Sequence, residues 1–242
     1  MELPSTVIVA IVLLPLILLC AYLYWRYIWF FRNPVRKTPT GENIVSPADG
    51  RIVYVKRVPP EVPIISIKNK RRICLNDVVR EDLTETKLLI GVFMSPFDVH
   101  YNRVPVNGEI ELVRHHPARV KNHHMSSMHW RAVMKRLPIY ENSPHILDNE
   151  RTVTKIRGTF HGEPVSCYVI QIAGGSVRGI ESHVSPGEPV KKGQIFGMIR
   201  IGSQVDIVTT WKDSMTVKVR PGQKVRAAES VLVEYSDWER QH

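Results

Sequence analysis

Ser203 follows Gly202 inside Gly197-Met198-Ile199-Arg200-Ile201-Gly202-Ser203-Gln204-Val205-Asp206, an apolar, alternating run that the Gly-Ser pair interrupts. A Gly-Ser pair is in most sequences an ordinary turn, so any chemistry here has to be supplied by neighbours. A serine hydroxyl is a weak nucleophile until a base takes its proton. Candidate partners lie upstream. The segment from Phe93 to Gly108 packs Asp98, His100, Asn102 and Arg103 into six residues between two expected strands. Loops on rigid strands commonly carry catalytic groups; His exchanges a proton near neutral pH, and Arg grips a phosphate or carboxylate with a planar fork. Ser46-Pro47-Ala48-Asp49-Gly50 offers a carboxylate at Asp49, although the same five residues make a good turn by themselves, Asp accepting from nearby amides and Gly taking positive φ. His115, His116, His123, His124 and His129 tempt a metal assignment. Their spacing matches neither a His-Glu-x-x-His helix nor a zinc finger, so they read as a solvated basic loop, or one lying against acidic headgroups, and no metal is expected.

Short β-type runs bounded by Gly and Pro have to position these groups: Gly50–Val58, Leu88–Phe93, Gly108–Val113, Thr152–Ile156, Val165–Ala173 and Ile195–Val208. Val, Ile, Tyr and Thr dominate them, which predicts a mainly β (α+β) domain with one soluble helix over Met125–Leu137. Two late segments repeat one order: Pro186-Gly187-Glu188-Pro189-Val190-Lys191 and Pro221-Gly222-Gln223-Lys224-Val225-Arg226. Paired Pro-Gly turns of this kind are typical of the barrel-sandwich fold of biotinyl and lipoyl carrier domains, which is a hint about fold and not about function. It brings a rival from another class, a membrane-anchored, non-catalytic adaptor or carrier. Against that rival, the chain has neither a sustained heptad pattern nor a Met-Lys-Met attachment motif.

Thr6 to Trp25 carries no charged side chain. As a helix at about 1.5 Å per residue it reaches about 30 Å, the thickness of a bilayer core. Pro15 is tolerable in a span and leaves a monotopic, re-entrant insertion open as an alternative. Tyr22, Tyr24, Trp25, Tyr27, Trp29, Phe30 and Phe31 form an aromatic belt with Arg26 and Arg32, and Arg36 and Lys37 follow. The positive-inside rule then places the C-terminal domain in the cytoplasm, at the cell membrane. A cleaved signal peptide fits less well, lacking a basic start and a small-residue cleavage site. The expected organisation is an anchor and interface belt over 1–32 and one domain over 33–242. The formal net charge of +10 suits an anionic surface, and with an anchor present that surface is lipid and not nucleic acid. Cys20, Cys74 and Cys167 are odd in number and scattered, so no disulfide framework is expected and a reducing compartment fits.

Six motifs occur in one order: Phe30-Phe31-Arg32-Asn33-Pro34, Ser46-Pro47-Ala48-Asp49-Gly50, Ser95-Pro96-Phe97-Asp98-Val99-His100, Val169-Ile170-Gln171-Ile172-Ala173-Gly174, Gly193-Gln194-Ile195-Phe196-Gly197 and Gly202-Ser203-Gln204-Val205-Asp206. The ordered set, from about Phe30 to Val233, resembles the phosphatidylserine decarboxylase proenzyme family in its short prokaryotic form. The resemblance implies self-cleavage at Gly202–Ser203 into a β chain, 1–202, and an α chain, 203–242. Ser203 would attack the Gly202 carbonyl, exchanging amide for ester. Elimination would release the Gly202 carboxylate, and loss of ammonia would leave a pyruvoyl group on residue 203. It implies Asp49 and a loop His as the acid–base relay of Ser203, in the logic of an Asp-His-Ser triad. The covalent pyruvoyl group would form a Schiff base with the serine amine of the lipid and draw off the electrons left by departing CO₂, with His100 the candidate proton donor and no diffusible cofactor. Longer members carry a second His three residues on; here that position is Arg103. Either His100 serves both steps, or another His such as His183 does, and Arg103 is a candidate for the lipid phosphate. Ester-linked phosphatidylserine and ether-linked archaetidylserine present the same headgroup and fit equally. Exposed strands in this type of fold could pair subunits into a homo-oligomer.

Overall fold

The computed structural model describes residues 4–59, 65–67, 71–73, 85–139, 144–160, 162–175, 179–200 and 202–235; Cys74 and Ile201 lie outside them. The chain forms two compact units, Met1–Pro34 and Val35–His242.

In the first unit α1 spans Ser5–Tyr24, with Pro15 inside it, and runs into a π-helical turn over Trp25–Trp29. The stretch Ile11–Trp29 is long and apolar enough to cross a membrane, with a mean hydropathy of 1.9 and none of it buried in the protein. At the end of the belt the Arg32 guanidinium lies 4.3 Å from the centroid of the Trp29 ring and donates to the Trp29 carbonyl at 2.9 Å. Trp and Arg side chains of this kind sit comfortably where hydrocarbon meets headgroup.

The second unit is mainly β. Its strands are β1 (Asn43–Val45), β2 (Gly50–Val58), β3 (Ile65–Ile67), β4 (Arg71–Ile73), β5 (Lys87–Met94), β6 (Tyr101–Arg103), β7 (Gly108–His116), β8 (Arg151–Phe160), β9 (Glu163–Ile172), β10 (Ile180–Ser182), β11 (Pro189–Val190), β12 (Ile195–Ile199), β13 (Ser203–Thr210), β14 (Met215–Val217), β15 (Lys224–Val225) and β16 (Val231–Tyr235). Eight of them make one antiparallel sheet in the order β11-β7-β8-β9-β13-β5-β2-β15. Two small sheets, β1-β16-β14 and β10-β12-β6, complete the architecture with the β3-β4 hairpin. Among the described residues its helices are α2 (Ser126–Val133), shorter than the expected Met125–Leu137, and α3 (His145–Asp148).

The central strands are apolar on both faces because each face covers a core. Val205, Ile207, Leu88, Ile90, Val92, Cys167 and Val169 point into one, which the small sheets close with Ile44, Val104, Phe196, Ile199 and Leu232. Val208, Leu89, Phe93, Ile170 and Ile172 point into the other, which α2 and the residues after it close with Met125, Met128, Ala132, Ile139 and Ile146. At about 1.5–3 kcal/mol for each fully buried Val, Leu or Ile, these two cores hold β13 firmly between β5 and β9.

The two Pro-Gly segments have equivalent places. Gly187 and Gly222 take φ +86° and +85°, and the short strands that follow cap opposite edges of the large sheet. Their partners also correspond: Pro47-Ala48-Asp49-Gly50-Arg51-Ile52 and Pro105-Val106-Asn107-Gly108-Glu109-Ile110. Ile52 exchanges backbone bonds with Gln223 and Gly222, as Ile110 does with Glu188 and Gly187. Asp49 Oδ1 accepts the Ala227 amide at 2.7 Å, and Asn107 Oδ1 accepts the Lys192 amide at 2.8 Å. The repeat read in the sequence is therefore one half of a larger internal repeat.

Candidate active site

The expected single strand Ile195–Val208 is in fact two. β12 belongs to the small sheet with β10 and β6, β13 to the large one, and the chain changes sheets at Gly202. Gly202 has φ +60°, and nothing lies within 4 Å of where a Cβ would stand. Its glycine is called for by backbone conformation, not by crowding: an L-residue there costs roughly 1–2 kcal/mol. Ser203, next in the chain, is fully buried as the first residue of β13, opposite Met94 of β5. Its hydroxyl donates to the Met94 sulfur at 3.4 Å. A thioether accepts weakly and takes no proton, so the hydroxyl is oriented but not activated by this contact.

The Met94 sulfur links that hydroxyl to a second polar group. Asn102 was expected in a loop but lies on β6; its amide nitrogen reaches the same Met94 sulfur at 3.7 Å, and its oxygen accepts from Gln171 of β9 at 2.8 Å. His100 is fully buried just before β6. Its Nδ1 lies 2.9 Å from the Asp98 carbonyl, an acceptor, so Nδ1 carries the proton and Nε2 the basic lone pair in the neutral ring. Its own carbonyl takes the amide of Ile199, the last residue of β12, at 3.4 Å. Asp98 braces the loop by accepting the Ser95 amide at 2.9 Å.

Asp49 and Arg103 gather elsewhere. Asp49 Oδ2 pairs with Arg36 at 2.8 Å while Oδ1 holds Ala227, and Arg36 also reaches Glu229 at 3.3 Å. The Arg36 side chain, just past the belt, is largely covered within this ion-pair group. Arg103 donates to the Gly193 carbonyl at 2.8 Å. Burial, then the nearby Arg36 charge, lowers its pKa, with Asp49 and Glu229 pulling the other way. Asp49 and Ser203 thus bond to other partners and not to each other. His183 pairs with Glu181 at 3.7 Å on the rim of the small sheet, part-exposed.

The His-rich stretch divides. His115 and His123 face Glu150 and Asp148 at 3.7 and 3.4 Å. His124 and His129 instead line a cavity of about 210 Å³ with Phe93, Pro96, Met125, Ser126, Gly175 and Gly202. Among the described residues no three His, Cys, Asp or Glu side chains gather as a metal site would require. In a stretch expected to be a solvated loop, or one lying against acidic headgroups, these two His are set apart by facing the cavity that Gly202 also lines.

On the face of β13 opposite Ser203 lies a buried polar group that the spacing did not reveal. Tyr54 donates to Asp206 at 2.7 Å, Gln204 donates to Tyr54 at 2.8 Å and to Asp206 at 2.7 Å, and His145 Nε2–H donates to Gln204 at 3.1 Å. The fully buried Arg151 stands near enough to act on all three ionisable members. Burial pushes Asp206 up to about 6, against its hydrogen bonds and Arg151, and pushes His145 down to about 4. The signs oppose. Asp206 favours folding at the acid end and loses that contribution as pH rises through about 6. His145 contributes fully above about 6.5 and loses its contribution as pH falls toward about 4. His145→Gln, which keeps a donor for Gln204, should therefore destabilise most at pH 7. The gap should narrow by on the order of 2 kcal/mol toward pH 4. Thermal melts of both proteins across that range check it; a constant gap would contradict the assignment.

The model of the phosphatidylserine decarboxylase family matches residues 23–233. The chain belongs to this family. Among its relatives is a phosphatidylserine decarboxylase proenzyme of Nitrosomonas eutropha, 38% identical over 207 residues, covering 85% of this chain and 76% of that protein. One of the same name from Carboxydothermus hydrogenoformans is 32% identical over 228 residues, 94% of this chain and 88% of that protein. A Methanothermobacter thermautotrophicus protein, provisionally named an archaetidylserine decarboxylase proenzyme, is 33% identical over 213 residues, 86% of this chain and 79% of that protein. Carboxy-lyase chemistry goes with membership, so this decarboxylase is an enzyme and not an adaptor or carrier.

Proposed function

We propose that the chain is a self-processing decarboxylase that converts phosphatidylserine, or its ether-linked counterpart archaetidylserine, to the ethanolamine lipid and CO₂. The observation that carries this is the pairing of a left-handed Gly202 with a buried Ser203 at the point where the chain changes sheets. Two cores pin Ser203 while the Gly202 side remains open. In the cleavage, the Ser203 oxygen bonds to the Gly202 carbon and the peptide nitrogen leaves it. Loss of the Ser203 Cα proton then breaks Cβ–O and frees the Gly202 carboxylate. The dehydroalanine left at 203 tautomerises to an imine, and water hydrolyses it, its oxygen becoming the ketone and the nitrogen leaving as ammonia. A pyruvoyl group on residue 203 would supply a ketone able to hold the lipid amine and to take up the electron pair freed as CO₂ leaves.

The chain's own residues do the rest. The Nδ1–H of His100 is held by Asp98, which keeps Nε2 as the atom that takes or returns a proton. The family resemblance assigns Asp49 to the relay, although its carboxylate bonds here to Arg36 and the Ala227 amide, and Arg103 offers a cation for the lipid phosphate. After cleavage β13 would stay between β5 and β9, paired along its length, so chains 1–202 and 203–242 remain one molecule. The internal repeat supports the likeness to carrier-type barrel sandwiches. The apolar helix and its belt would anchor this domain on the cytoplasmic side of the cell membrane.

The test is CO₂ release from vesicles of phosphatidylserine labelled in the serine carboxyl, with the full chain reconstituted into them. Released label together with an ethanolamine lipid is the expected result; an intact serine lipid after prolonged incubation would refute the reading.

A further inference from the structure

α2 is apolar on two faces. Met125, Met128 and Ala132, at helical spacing, are buried in the second core. On the other side Trp130 is 64% exposed, Val133 56% and Met134 59%, again at i, i+3 and i+4, and Leu137 beyond the turn is 60% exposed. One side of the helix explains its folding; the other has no such explanation. Contiguous exposed apolar groups on a soluble surface usually mark a partner.

The charge around them is one-sided. From Pro117 to Ile139 there are five Lys and Arg residues, Arg119, Lys121, Arg131, Lys135 and Arg136, and no Asp or Glu. A second copy of this chain meeting the same patch would set cations against cations. An anionic bilayer surface would complement them and take the Trp and aliphatic side chains at the headgroup level. The position matters too. The start of the same helix, Met125, Ser126 and His129, lines the cavity at Gly202, and its later residues, His129, Ala132 and Val133, line a hollow of about 310 Å³ with Ser95, Asp98 and the 62%-exposed Phe97.

We propose that Trp130, Val133, Met134 and Leu137, with Arg131, Lys135 and Arg136, form an interfacial docking face. It presses the mouth of the Gly202 cavity onto anionic lipid. This is a contact of the catalytic domain itself, separate from the N-terminal helix. It rests on the lipid reading of the site, because docking matters only if the substrate resides in that surface.

Two measurements test it. An environment-sensitive fluorophore is placed on Val133→Cys, in full chain with Cys20 and Cys74 replaced by Ser, and reconstituted into vesicles. The emission should shift to the blue in phosphatidylglycerol-containing vesicles and less in neutral phosphatidylcholine ones. A label on Glu163→Cys, at the β8–β9 hairpin end of the large sheet remote from Ser203, should report water in both. Second, Trp130→Ser/Leu137→Ser should slow decarboxylation of long-chain phosphatidylserine in vesicles about fivefold or more, while monomeric dihexanoyl phosphatidylserine is turned over within about twofold of wild type. A water-like signal at position 133 in both vesicles would overturn the proposal. So would equal losses on both substrates, or shielding traced by sedimentation to self-association. If neither substrate yields CO₂ with wild-type protein, the decarboxylase reading fails, and the label alone still decides the docking face.

Discussion

Replacing Ser203 by Ala should leave the chain whole at 27.7 kDa and abolish CO₂ release. The effect is expected to be near total because the hydroxyl is needed twice, as nucleophile in cleavage and, once acylated, as the leaving group whose elimination opens the way to the reactive ketone at Cα of residue 203. Enzymes exceed uncatalysed reactions by roughly 10⁶-fold or more, so loss of the reactive group would be read as no CO₂ above empty vesicles. The fold should survive. Ser203 Oγ has a weak sulfur partner, and Ala keeps the strand pairing with Met94. Unchanged melting with no cleavage is the expected combination. Cleavage in this variant would mean that another residue is the nucleophile.

The second large effect concerns Asp49, where the internal repeat supplies its own control. Asn107 occupies the corresponding place and makes the same backbone clamp without a charge. Asp49→Asn should therefore retain the Ala227 contact, and Arg36 should retain Glu229. Losing one partner of a buried ion pair can cost 3–5 kcal/mol; with the clamp and Glu229 retained, about 1–2 kcal/mol is expected. Self-cleavage, by contrast, should slow by about 10²-fold or more, the usual contribution of an acid–base group. A time course of chain splitting after synthesis in a cell-free system containing vesicles separates the two. Wild-type cleavage kinetics in a slightly less stable variant would reduce Asp49 to a structural clamp like Asn107.

Strand existence was legible because Val, Ile and Tyr runs bounded by Gly and Pro leave few alternatives, and β2, β5, β7, β8 and β9 lie where those runs predicted. The division of Ile195–Val208 was not legible. Alternation of apolar residues looks the same whether a strand stays in one sheet or passes to another, and only φ at Gly202 marks the crossing. Short edge strands such as β6, β11 and β15 were missed because two or three residues carry no period. Asp206 lay within a quoted motif, yet its role was hidden. Tyr54, which donates to it, and His145, which reaches its neighbour Gln204, come from two other segments that only the packed sheet brings to this strand. The ion pairs of Arg36 were hidden for a similar reason, since its partners Asp49 and Glu229 are far apart in sequence. Long-range pairing of charges leaves no local signature.

Everything proposed for this chain depends on Gly202–Ser203 being a bond that the protein breaks in itself. Intact-mass analysis of the purified full chain under denaturing conditions tests it most directly. Two species are expected: residues 1–202 ending in a free carboxylate, and residues 203–242 lighter by one ammonia than the plain peptide and resistant to N-terminal sequencing. A single species of 27.7 kDa in a preparation that releases CO₂ from phosphatidylserine would contradict it.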